Sequence, residues 1–161
     1  MFQDQIYFDY LRQLNQAREL MLNELMIKTA AGDNDGAESV LDSICRRVLN
    51  VPLGVVRRTS PERLLELIHC GGQSNLNSIL IADLLHQDVE LNEKIGNRPQ
   101  AIVSRLQAFC LLVDSIELLG PQEQLEYRKK LDALAVDLGS LSEDPYIRGK
   151  VDRFLSMKAS A

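Results

Sequence analysis

The side chains best equipped for chemistry are two histidines and three cysteines: His69, His86, Cys45, Cys70 and Cys110. His69 and Cys70 adjoin Gly71-Gly72, and His86 follows 17 residues after His69. A His/Cys pair is a zinc-ligand combination. Adjacent residues on a helix point in different directions, however, and no second close-spaced pair completes a four-ligand set, so no metal site is expected. Cys70 and His86 would make a nucleophile and its base, with the Gly71 and Gly72 amides as oxyanion donors. Nothing supplies an orienting third group, and helix termination accounts for the glycines more simply. Gly71-Gly72-Gln73-Ser74 lacks the lysine followed by a hydroxyl residue of a phosphate loop and the strand before it. The His-Glu-x-x-His, Gly-x-Ser-x-Gly and dinucleotide-binding patterns are absent. The main reading is therefore non-enzymatic, with no catalytic residue and no cofactor assigned. An enzyme or small-ligand protein using Cys70, His69 and His86 is the alternative.

Charged residues offer a second kind of site. The acidic pairs Asp83 with Asp88, Glu90 with Glu93, and Glu123 with Glu126 read as solvated helix faces. Glu66, Asp83 and Glu90 lack the Glu-x-x-His partners of a bundle di-iron centre. The uneven feature is basic: Arg46, Arg47, Arg57, Arg58 and Arg63 stand within residues 46–63 against Glu62 alone. Such a cluster suits an acidic peptide, a phosphate or RNA and is the candidate binding site. A net charge of −5 and the lack of interleaved aromatic platforms weigh against nucleic acid, which stays as an alternative through this cluster.

Helices must position these residues. Leucine carries most of the apolar load, and no segment alternates apolar and polar residues over strand length. The first helix spans about 4–30, with a stripe of Tyr7, Tyr10, Leu14, Ala17, Met21 and Leu25. Leu20, Leu22, Met26 and Ile27 spill onto a second face, which a monomer must hide or use. The second helix spans 34–49, before Pro52 and Gly54 break the pattern. A short third begins at Ser60-Pro61-Glu62, where Ser caps and Pro fits the first turn. The fourth covers 75–95, the fifth runs from Pro99 toward Gly120, the sixth from Pro121 to Gly139, and the seventh starts at Asp144-Pro145. The expected fold is all-α: seven helices in stacked antiparallel hairpins, as one domain over 1–161. Its parts are a hairpin at 4–49, a connecting helix at 60–70, a hairpin at 75–119 and C-terminal helices at 121–157.

The odd cysteine number reads as free thiols packed as small core residues. Without a leader-like N-terminus or a bilayer-length apolar run, the expected location is the cytoplasm, away from membranes.

Two turns share a grammar. Gly32-Asp33-Asn34-Asp35-Gly36-Ala37 and Gly96-Asn97-Arg98-Pro99-Gln100-Ala101 lie 64 residues apart. At that offset Leu20 falls on Leu84, Met21 on Leu85, Leu25 on Val89, Ile27 on Leu91, Cys45 on Phe109 and Val48 on Leu112. Glycine ends the first helix, and a small alanine lets the second approach closely. Such a pair, over Leu20–Leu49 and Leu84–Val113, resembles the tetratricopeptide hairpin. It lacks that family's aromatic and glycine positions in the first helix, and its 64-residue period departs from the usual repeat of about 34. The whole chain resembles a small family of uncharacterised bacterial proteins with tetratricopeptide-like helices. The carrying features are Met1-Phe2-Gln3-Asp4-Gln5-Ile6, the Ala37 turn and Thr59-Ser60-Pro61-Glu62-Arg63-Leu64-Leu65-Glu66-Leu67. The resemblance implies a right-handed hairpin array and a role in binding proteins. The expected function is a protein-interaction or scaffold module for a protein or peptide partner, with self-association through the second face of the first helix as a variant.

Overall fold

The structure, a computed structural model, describes residues 2–69, 74–136, 138 and 143–159, and for residues 2–8, 10, 11, 74–76 and 118 the backbone alone. It is all-α: eight α-helices and no strand occur among the described residues. They are α1 (Phe2–Ala30), α2 (Asn34–Leu49), α3 (Leu53–Arg58), α4 (Pro61–His69), α5 (Ser74–Ile95), α6 (Arg98–Ser115), α7 (Pro121–Ala135) and α8 (Pro145–Ala159), with a 3₁₀ turn at Ile116–Leu118 after α6. Tyr7 and Tyr10 of the expected stripe, and the Gly71-Gly72 stop, lie outside the described residues or side chains.

The two similar turns form the same hydrogen bonds 64 residues apart. Gly32 and Gly96 both take the left-handed conformation, φ 70° and 83°, which glycine adopts without a Cβ penalty. The next N–H reaches back five residues in each helix end, Asp33 to Lys28 O at 2.9 Å and Asn97 to Asn92 O at 2.8 Å. Asp33 and Asn97 then cap the following helices, accepting from Gly36 N at 2.8 Å and Gln100 N at 3.3 Å. Ala37 and Ala101 are both buried one turn into the second helix. The chain thus carries two antiparallel hairpins of one design, α1–α2 and α5–α6, and α2 and α1 pack on α5.

Sequence and structure differ at three places. Residues 53–58, expected as a break, form the extra helix α3. Pro52 suits the position before a helix, and the Asp42 carboxylate on α2 accepts from Leu53 N at 2.8 Å, capping α3 from outside its own segment. The helix from Pro121 ends at Ala135, short of Gly139, as Val136 leaves helical geometry with ψ 120°. The fifth expected helix, α6, ends at Ser115 and passes into the 3₁₀ turn short of Gly120, and its Gln107 to Val113 are all buried, because α3, α4, α5, α7 and α8 surround it.

Candidate functional site

α5 and α6 form the centre of the fold, and a helix buried on several sides must pair every polar group it carries inside. Two interior nodes result. Both involve acids expected on solvated faces: Asp83 and Asp88 are instead buried.

The first node takes an arginine from the expected basic cluster. Arg57 on α3 turns inward and donates to Asp88 from Nε at 3.0 Å and from a terminal nitrogen at 2.6 Å, a bidentate pair. Its other terminal nitrogen lies 3.3 Å from Glu38. Burial works against the guanidinium's charge, and Asp88 and Glu38 outweigh it, holding its pKa above the usual value. Ser104 on α6 completes the node, donating to Asp88 at 2.8 Å and accepting from Gln100 at 3.1 Å. Gln107 closes the end of α3 by donating to the carbonyls of Val56 and Thr59, both at 2.7 Å.

Arg57 is thus committed inward, while the other four arginines of the cluster stay on the surface. Arg46 is exposed and pairs with Asp42 at 2.8 Å, which, with the Leu53 amide, holds that carboxyl below its usual range. Arg47, Arg58 and Arg63 are exposed. The cleft between α2 and α3, of about 300 Å³, is lined by Asp35, Glu38 and Asp42 with Arg57 as its one cation. Its mouth is acidic.

The second node joins α1, α5 and α7. Asp83 accepts from Tyr127 Oη and Lys130 Nζ, both at 2.7 Å, and lies 3.4 Å from Arg18 Nε. Arg18 also pairs with Glu126 at 3.1 Å and packs over the Tyr127 ring at 5.5 Å. Burial and the adjacent Asp83 push the Tyr127 phenol up. His86 borders this node, 3.8 Å from Glu90, and burial holds its imidazole below its usual range. No local signal in the sequence marks either node, since each pairs residues distant along the chain.

The other chemistry-bearing candidates are placed as follows. His69 is exposed at the end of α4, and Cys70 lies outside the described residues. Cys45 and Cys110 are buried free thiols, pushed up to about 12 by burial, so they are protonated and unreactive near neutral pH. Among the described residues no group of three or more His, Cys, Asp or Glu side chains is placed to hold a metal ion, and no helix is long and apolar enough to cross a membrane.

The apolar surface is uneven in an ordered way. Leu20 is 59% and Ile27 68% exposed on α1, whereas their counterparts 64 residues on, Leu84 and Leu91 on α5, are 0% and 7% exposed. Met21 with Leu85 and Leu25 with Val89 are buried in both hairpins. Leu155 on α8 is exposed as well. Compared with protein-family models, with curated proteins and with solved structures, the chain matches none.

Proposed function

We propose that this protein is a non-catalytic interaction module, a tetratricopeptide-like right-handed array whose partner lays a helix or helical hairpin on the open side of α1. The observation that carries this reading is the contrast between Leu20 and Ile27, exposed, and Leu84 and Leu91, buried at the same hairpin positions. α5 packs on its own partner α6 and also on α1 and α2 of the preceding hairpin. On α1 the corresponding positions, Leu20 and Ile27, stay open to solvent. A partner helix with apolar residues three and four apart would complete the stack as the first hairpin completes the second. The basic-cluster reading draws less support, because Arg57 is committed to Asp88 and Glu38.

The test is Leu20→Ser combined with Ile27→Ser. Both side chains are more than half exposed, so the helix content and melting temperature should stay at the wild-type values. Tagged wild type and variant are compared by capture from a cell extract and by sedimentation at several concentrations. The expected result is a helical partner, or a second copy of the chain, that the variant loses. A wild type that sediments as a monomer and captures nothing beyond what the variant captures refutes the reading.

A further inference from the structure

We propose that the cavity between α7 and α8 is a binding site for a small carboxylic acid carrying one ring or a branched alkyl group. The cavity measures about 190 Å³ and is lined by Arg128, Asp132, Phe154, Met157 and Lys158. An apolar cavity of roughly 150 Å³ is enough to hold benzene, so the space suits a molecule of that size. Phe154 provides a firm wall, because its ring is held edge-on against Phe109 at 5.6 Å in the core. Met157 provides an adaptable, polarisable wall beside it.

Arg128 sets the ligand's charge. Arg18, Lys28, Arg57, Arg105, Lys130 and Lys150 are the other partly buried cations among the described residues, and each has a carboxylate partner. Arg128 is partly buried too, yet its Nε is shut off from water, and among the described residues no acceptor meets it and no ion pair engages its guanidinium. Asp132, one turn along α7, does not fill that role. It pairs with Lys158 at 2.9 Å, and Lys158 lies over the Phe154 ring at 5.4 Å. The cavity therefore combines a mostly apolar wall with one uncompensated positive charge at its edge. A carboxylate on a short apolar stem matches both, its oxygens meeting the guanidinium and its stem filling the space.

The experiment uses the full chain, with benzoate as the probe and benzamide as its uncharged isostere. Methyl and arginine side-chain resonances are followed by NMR during titration. Benzoate should give saturable shifts at the Met157 methyl and the Arg128 Nε–H. Binding should weaken about tenfold or more for benzamide, and equally for benzoate on Arg128→Gln, as loss of a charge-assisted contact implies. Met157→Trp, which fills the cavity without changing charge, should abolish the shifts. If that variant misfolds, Arg128→Gln still decides the matter, since it leaves the apolar wall intact. Absence of saturable shifts, equal binding of benzoate and benzamide, or unchanged binding to Arg128→Gln each overturns the proposal.

Discussion

Replacing Arg57 by methionine separates an interior ion pair from a surface charge. The change keeps a long apolar stem and removes the guanidinium. Asp88, with 0% exposure, would then retain, among the described residues, only the Ser104 hydroxyl as a side-chain donor to its carboxylate. Its two strongest partners, at 2.6 and 3.0 Å, are lost together. Breaking a buried pair by deleting one member costs about 3–5 kcal/mol, because the remaining charge has neither water nor a counter-ion. For a chain of this length that corresponds to a fall in Tm of roughly 6–20 °C. A solvent-exposed arginine, as the basic-cluster reading supposed, would cost at most about 1 kcal/mol. Glu38 adds little to the sum, since it is 45% exposed and stays solvated without Arg57. Urea titrations of Arg57→Met, Asp88→Leu and the double variant measure the effect. The double variant should be more stable than the sum of the single losses implies, as the isolated charge is gone. An Arg57→Met protein within about 1 kcal/mol of wild type, at an unchanged m-value, would refute the interior role of this pair.

Two further outcomes follow from the core. Burial lowers the folded-state pKa of His86, whereas the unfolded chain takes up that proton near the ordinary value of about 6.5. The unfolded state therefore binds more protons as pH falls below neutrality. Stability should decline from about pH 7 down to the folded pKa and lose nothing more to this group below it. His86→Gln should flatten that part of the profile, and an NMR titration midpoint for His86 at or above about 6.5 would contradict the argument. Ala37 and Ala101, both 3% exposed at the close approach of their hairpins, should each resist enlargement. Leucine at either position is expected to cost about 1–3 kcal/mol in chemical denaturation. A variant that unfolds at the wild-type urea concentration would show that the alanine does not sit at a tight crossing.

The features legible in the sequence are those whose causes are local. The bounds of α2, 34–49, follow from a capping residue and a left-handed C-cap within a few positions of its ends. The paired turns follow from Gly32-Asp33 and Gly96-Asn97, and the structure reproduces their bonds residue for residue. What escapes the sequence depends on partners far along the chain. Asp88 looks like a surface acid until Arg57, 31 residues earlier, is brought to it, and Asp83 meets Tyr127 and Lys130 only when α7 folds back. α3 escapes for the same reason, because its first amide is capped by Asp42, 11 residues upstream.

The same distinction bears on function. A shared local grammar builds two like hairpins, but their surroundings make them unequal: α5 packs on α1 and α2 as well as on α6, whereas Leu20 and Ile27 of α1 face solvent. The apolar pattern does not change to match. Leu20 and Ile27 keep the side chains that Leu84 and Leu91 use for burial, although water now faces them. Exposing two large aliphatic side chains forgoes about 1.5–3 kcal/mol each relative to burial. A helix laid across them would recover that energy, and polar residues at positions 20 and 27 would remove the gain while leaving the hairpin bonds of the turn untouched.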